Sequence, residues 1–306
     1  MKCVVTGGAG FIGSHLVDAL VARGDEVTVI DDLSEGKREQ VHPQAGFVKG
    51  SILDSAALQS LFRGVDIVFH QAALRSVPQS LERPLDYHRT NVDGTYGVLE
   101  AARQSGVSRV VFASSSSAYG DGHPLPLKEE YLPRPKSPYA LSKVAGEHYM
   151  RLFFELYGLK TISLRYFNVF GPRQDPSSEY STVIPLFIKA VNDGTLPVIY
   201  GNGKQSRDFT YVGNVVDANL LASGVKRGFG EAYNIAEGKA VTVNDLAAKV
   251  GALAGKAVKP KHLPVRAGDV LHTLADLSQA KKVLSYRPKR TFDDGLALTY
   301  NWFGPR

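Results

Sequence analysis

Over the first half of the chain, short apolar runs alternate with segments whose hydrophobic residues recur at helical spacing. The Val-rich run Lys2–Val5 leads into glycines and then Ser14–Arg23, where Leu16, Val17, Leu20 and Val21 fall on one face. Gly24-Asp25 interrupts the pattern, Glu26–Ile30 reads as a second strand, and acidic residues follow it. The alternation continues with strands at Gly46–Val48, Asp66–His70, Ser108–Ala113 and Lys160–Leu164. Between them, helices are predicted over Ser55–Phe62, Leu85–Gln104 and Tyr139–Tyr157. Short buried strands separated by helices predict a Rossmann-type α/β fold, a doubly wound parallel sheet covered on both faces.

After Arg165 the rhythm changes. Loops rich in Pro, Gly and Ser occupy Gly171–Ser178 and Gly201–Ser206, and shorter helices are predicted near Val183–Asn192, Val212–Val225, Val243–Leu253 and Asp293–Trp302. This pattern predicts a smaller C-terminal α/β substrate domain at the carboxyl ends of the strands. Residues 1–165 form the expected dinucleotide-binding domain, with the apolar stretch 208–235 returning to it. Residues 166–207 and 236–306 form the expected substrate domain.

Composition narrows the class of protein. With 306 residues, 43% hydrophobic and 22% charged, the chain can bury a sizeable core and does not read as disordered. A net charge of +6 without a basic block favours a surface that tolerates an anionic ligand over a nucleic-acid partner. The single cysteine, Cys3, permits neither an internal disulfide nor a cysteine metal cluster, which points to the cytoplasm. No signal-peptide pattern, membrane-length apolar run or carboxylate–histidine cluster with metal spacing is evident. His70, at a strand end, reads as a packing residue.

The chemistry begins at Thr6-Gly7-Gly8-Ala9-Gly10-Phe11-Ile12-Gly13, between the first strand and the first helix. Glycine at positions 7, 10 and 13 allows a tight turn, close approach of a pyrophosphate and packing of helix on sheet. The helix N-terminus then offers N–H groups to phosphate. Asp31 closes the second strand, where a carboxylate can accept from an adenosine ribose and repel the extra phosphate of NADP; NAD is the expected cofactor. Tyr139 and Lys143 lie four apart on one helix face, where an ammonium can lower a phenol's pKa and let it take a proton from a sugar hydroxyl. The run Ser114-Ser115-Ser116-Ser117 ends the strand before that helix, at the edge where open parallel sheets bind ligands.

These residues resemble the extended short-chain dehydrogenase/reductase family over nearly the whole chain. GGAGFIG at Gly7–Gly13, the pair Tyr139/Lys143 and the serine run followed by Tyr119-Gly120 carry the resemblance. Within that family, the segments Arg165–Gln174, Ser206–Tyr211 and Arg266–Asp269 are similar to those of nucleotide-sugar 4-epimerases. The resemblance implies a cofactor path along Gly7, Gly10, Phe11, Ile12, Gly13, Asp31, Asp32, Ser51, Ile52, Gln71, Ala72, Ala73, Arg75, Asn91, Tyr139, Lys143 and Phe167. Ser51 stands where many relatives have an Asp facing adenine, so that contact becomes a hydroxyl contact or is lost. Arg75 is the nearest match to a Lys found near the cofactor in some epimerases. For a UDP-sugar substrate, the resemblance implies Ser116, Asn168, Val183, Ile184, Tyr200, Arg207, Arg266, Asp269 and Thr273, with the two arginines on the diphosphate. Ser115 and Ser116 compete as the catalytic hydroxyl, with Ser116 preferred.

The implied reaction is inversion at carbon 4 of a UDP-hexose through a 4-keto sugar, with NAD held through turnover. Thr273 stands at the position that gates the space beside the C2 substituent. Its small size leaves room for an N-acetyl group, so UDP-N-acetylglucosamine and its galacto epimer are favoured, with UDP-glucose and UDP-galactose also expected to fit. Two alternatives are a UDP-glucuronate decarboxylase using Arg75 against the C6 carboxylate, and a non-catalytic NAD-binding regulator. A 4,6-dehydratase is disfavoured because no carboxylate lies in the Ser115–Ala118 loop. A second apolar face on each of the two long helices, together with the resemblance, predicts a homodimer.

Overall fold

The computed structural model describes residues 1–176, 182–265 and 270–304. Its first layers are β1 (Lys2–Thr6), α1 (Phe11–Ala22), β2 (Glu26–Asp31), β3 (Gly46–Lys49), α2 (Ser55–Leu61), β4 (Ile67–His70), α3 (Val77–Glu82), α4 (Pro84–His88) and α5 (Gly94–Gln104). Then come β5 (Arg109–Ser115), α6 (Pro138–Tyr157), β6 (Lys160–Tyr166), β7 (Val169–Phe170), α7 (Val183–Asn192), β8 (Val198–Tyr200), β9 (Ser206–Asp208) and β10 (Thr210–Tyr211). The remainder is α8 (Val212–Gly224), β11 (Ala232–Ile235), β12 (Ala240–Thr242), α9 (Val243–Leu253), β13 (Lys261–Leu263) and α10 (Phe292–Phe303).

Seven parallel strands form the large sheet in the order β11-β6-β5-β4-β1-β2-β3. The chain winds outward from β1 through β2 and β3, then restarts at β4 on the other side of β1. That reversal opens a crevice at the carboxyl ends of β1 and β4. Strands buried on both faces explain the unbroken apolar runs: Val4, Val5, Val68, Phe69, Val110 and Val111 are all buried. One face packs Leu16, Val17 and Leu20 of α1 with Val215, Ala218 and Ala222 of α8. The other packs Leu58 of α2, Val98 and Leu99 of α5, and Met150 and Phe153 of α6. A third core gathers Phe170, Phe187, Phe209, Leu246 and Phe292 beneath α7, α9 and α10, beside three two-stranded sheets.

Two local features depart from the periodicity. The helix expected over Leu85–Gln104 is divided by a π-helical turn at Arg89–Asp93, and the short α3 precedes it. The turn serves Asn91, whose amide donates to the Leu74 carbonyl (2.9 Å) and whose oxygen accepts from the Leu74 N–H (2.9 Å). Hydrophobic spacing does not register this kind of long-range demand on the backbone. Near the C-terminus of the second part, α8 and β11 (212–235) are built into the large sheet's layers, whereas Thr210 and Tyr211 pair with β7.

Candidate active site

The glycine loop lies against the crevice. Gly7 adopts φ +70°, and a Cβ there would come within 2.6 Å of the Ala72 nitrogen; at Gly13 a Cβ would strike the Gly7 carbonyl. No side chain caps α1 at Gly10, so its first N–H groups remain for an anion. A cleft beside this loop is lined by Gly7, Gly10, Phe11, Ile12, Gly13, Asp31, Asp32, Ile52, Gln71, Ala72, Ala73, Arg75, Tyr139 and Lys143. A cradle kept open by missing Cβ atoms, with carboxylates at the end of β2, fits a dinucleotide.

Several expected roles change once the side chains are in place. Asp31 is nearly buried and braces the glycine loop, its oxygens accepting from Ala9 N–H (3.0 Å) and Leu33 N–H (2.8 Å). Burial raises its pKa, and those two amides oppose the rise. Asp32 accepts from the Ser34 N–H and hydroxyl at the cleft rim. Ser51 accepts from the Leu53 N–H (3.2 Å) in the turn between the cleft-lining Gly50 and Ile52. Asn91 is buried and acts as a brace, reaching Ser142 of α6 as well as Leu74. Phe167 is fully buried behind the cleft, and Ile184 belongs to the third core.

Tyr139 and Lys143 face the cleft from the first turns of α6. Ser137 caps this helix by accepting from Ala140 N–H (3.1 Å), and Pro138 opens it, which holds Tyr139 at the start of the first turn. Gly146 lets the helix approach β5, since a Cβ there would lie 2.5 Å from the Phe112 ring. Lys143 Nζ thereby reaches the Ala113 carbonyl at 2.8 Å. Burial pulls the Lys143 ammonium down to about 7, opposed by the charge of Glu147. Burial pushes the Tyr139 phenol above its ordinary range, opposed by a hydrogen bond with Ser115 and by Arg75. Ser115 ends β5, and Ser116, the one preferred from sequence, opens the following 3₁₀ turn.

His70 is held by hydroxyls on both ring nitrogens, Thr6 at 2.8 Å and Thr95 at 2.9 Å. Thr95 donates to the Asn91 carbonyl, so it accepts from Nε2–H and the ring is the Nε2 tautomer. Burial lowers the His70 pKa to about 3.

On the substrate side, Asn168 (φ +37°) donates to Thr273 Oγ1 (3.1 Å) and to the Asp208 carbonyl (3.2 Å). Val183 opens α7, and Tyr200 ends β8 with its carbonyl accepting from Gln205. Arg207 donates to the Ser206 and Leu271 carbonyls. None of these residues lines the cleft beside the glycine loop. Arg266 and Asp269 lie outside the described residues. Residues missed from sequence include Glu35, ion-paired with Arg75 at 2.9 Å across the cleft mouth, and Tyr166, whose hydroxyl meets Gln71 and Asn219. Asp208 and the Glu147–Arg165 pair were also missed. The one available signal was spacing, since Tyr139, Lys143 and Glu147 fall every four residues along one helix face.

Residues 3–236 match the NAD dependent epimerase/dehydratase family. The chain belongs to that family. Its cofactor is NAD, in keeping with the glycine cradle. Among the family's members, a UDP-glucose 4-epimerase of Mycolicibacterium smegmatis is 38% identical over 311 residues, covering 99% of this chain and 98% of the relative. A UDP-N-acetyl-alpha-D-glucosaminuronate decarboxylase of Bacillus cytotoxicus is 34% identical, with 99% and 97% covered. The structure of a UDP-N-acetylglucosamine 4-epimerase from Methanobrevibacter ruminantium M1 in complex with UDP-N-acetylmuramic acid superimposes with a TM-score of 0.95 at 43% identity, covering 99% of this chain and 97% of that one. Among the described residues no helix is long and apolar enough to cross a membrane.

Proposed function

We propose that this protein inverts carbon 4 of a UDP-hexose, with UDP-N-acetylglucosamine and UDP-N-acetylgalactosamine as favoured substrates. The observation that carries the proposal is that Tyr139 and Lys143, one turn apart on α6, open onto the same cleft as the glycine loop. Tyr139 takes the proton of the C4 hydroxyl and later returns it, while Ser115 orients the phenol and the sugar oxygen. Lys143, held on the Ala113 carbonyl, favours the phenolate. Bound NAD supplies a reversible hydride acceptor at C4. Residues 1–165 with 212–235 serve the cofactor, and the rest serve the nucleotide sugar. Arg207, Arg266 and Asp269 are assigned to the nucleotide diphosphate on family resemblance alone. The decarboxylase alternative, supported by the Bacillus cytotoxicus relative, would turn Arg75 from its exposed pairing with Glu35 to a substrate carboxylate.

Thr273 is nearly buried, and its hydroxyl accepts from both Asn168 and Asp208 N–H, which sets a small side chain beside Asn168. The test is proton NMR of purified protein with UDP-N-acetylglucosamine and UDP-glucose in separate reactions. Conversion of the acetylated sugar to its galacto epimer is expected. In Thr273→Tyr the ratio of acetylated to plain turnover should drop by about tenfold or more, through loss of pocket space. No conversion of either sugar with NAD added would overturn the epimerase reading; an unchanged ratio would overturn only the gate.

The homodimer is proposed on the outer faces of α3–α6, where Leu81, Leu85, Leu141, Leu152 and Leu156 are exposed. Such a stripe suits a twofold helix interface. Sedimentation should give a dimer, and Leu141→Glu with Leu156→Glu a monomer; a wild-type monomer would refute the assignment.

A further inference from the structure

Beneath the Tyr139–Lys143 pair lies a second buried charge cluster that does not line the cleft. Lys143 and Glu147 are one turn apart on α6 and share a face. They engage consecutive residues of β5. Lys143 donates to the Ala113 carbonyl (2.8 Å), and the Ser114 hydroxyl donates to Glu147 Oε1 (2.5 Å). The β5–β6 register sets Arg165 beside Ser114, and Arg165 closes a two-point bridge to Glu147 at 2.8 and 2.7 Å. Tyr119 lies 4.7 Å beneath the guanidinium. The Glu147 and Arg165 side chains are only 10% and 5% exposed.

Stability alone does not account for such a pair, because apolar residues of similar volume often do as well or better in its place. Lys143, in contrast, is a buried cation whose hydrogen bond goes to a neutral carbonyl. The titratable groups around it come from four places. Tyr139 and Glu147 share its helix; His70 of β4 is neutral and hydrogen-bonded on both sides; Arg165 of β6 is tied to Glu147; Arg75, in the loop after β4, is tied to Glu35. Glu147 is the carboxylate among them, one turn from Lys143 on the same helix face.

We propose that Glu147 is the positioning residue of the Tyr139–Lys143 pair, fixing the end of β5 through Ser114 and setting a buried carboxylate one turn from the Lys143 amine. Arg165 in turn holds the Glu147 carboxylate in its two-point geometry. The consequence for turnover rests on the epimerase reading; the effect on Lys143 does not.

The experiment titrates Lys143 itself, by NMR of protein labelled with ¹³C at lysine Cε, the resonance being assigned with Lys143→Met. In Glu147→Gln the Lys143 midpoint should fall by about one pH unit, the size of effect expected from losing a close opposite charge. The alkaline limb of the turnover profile should fall with it. Because Glu147→Gln strands Arg165, the double variant Glu147→Gln/Arg165→Met is measured alongside. A downward shift that persists in the folded double variant supports the proposal. A midpoint that stays at, or returns to, the wild-type value in that variant overturns it, leaving Glu147 as Arg165's partner only. Wild-type protein inactive on every UDP-sugar, with the midpoint still shifted, would sink the epimerase reading and not this one.

Discussion

Replacing Tyr139 by Phe is expected to cut turnover about 10²- to 10⁴-fold, the usual contribution of a positioned acid–base group, with NAD still bound. The substitution removes one oxygen and leaves the ring in its edge-to-face contact with Tyr87, whose centroid is 6.4 Å away. Ser115 keeps a partner in the Ser117 hydroxyl at 2.9 Å, so the lost hydrogen bond costs the fold only about 1 kcal/mol. The cofactor cradle is formed by backbone at Gly7–Gly13 and is untouched. Initial rates by NMR, with bound NAD measured after denaturing release, separate chemistry from binding. A rate within tenfold of wild type would move the proton-transfer role away from Tyr139.

Asp208→Asn is expected to destabilise the protein by about 2 kcal/mol at pH 8 and by more at pH 5. Asp208 is fully buried and accepts from the N–H groups of Glu237, Gly238 and Ala275, tying the 237–238 turn and the loop that carries Thr273 to β9. An amide offers one acceptor oxygen and sets an NH₂ against N–H donors, leaving buried groups unmatched at about 1–3 kcal/mol. The pH dependence follows from linkage. Burial pushes Asp208 up to about 7, against three opposing amide bonds, while the unfolded value is near 3.8. The folded state therefore holds a proton that the unfolded chain releases between about pH 4 and 7. This stabilisation is complete below the unfolded pKa and is lost as pH rises through about 7. Asn has no such titration, so the gap between wild type and variant should widen on acidification. Urea unfolding at pH 5 and pH 8 reads both values; a gap that narrows at pH 5 would count against a raised Asp208.

Local information carried well. Val183–Asn192 and Val243–Leu253 are helices over the same residues as the hydrophobic spacing predicts, and Tyr139/Lys143 meet at the cleft as the four-residue spacing requires. Side chains whose partners come from elsewhere in the chain fared differently. Ser51, Asn91, Phe167 and Ile184 are placed on the cofactor or substrate path by motif position. In the folded chain they also hold a turn amide, a backbone loop and two core clusters. Asp31 is split between the two roles, lining the cleft while bracing Ala9 and Leu33.

The winding of strands and helices, the glycine cradle between β1 and α1, and the Tyr–Lys face of α6 are all legible in local sequence. Each depends on neighbours within a few residues, where backbone geometry converts spacing directly into direction. That Arg75 closes on Glu35, and that Glu147 and Arg165 form a buried pair below Lys143, depends on the packed fold. The β5–β6 register sets Arg165 beside Ser114, and the close approach of α6 to β5 at Gly146 brings Glu147 to both, from 18 and 33 residues away. Register is a property of the packed sheet, set by the burial of whole faces, and no single segment encodes it.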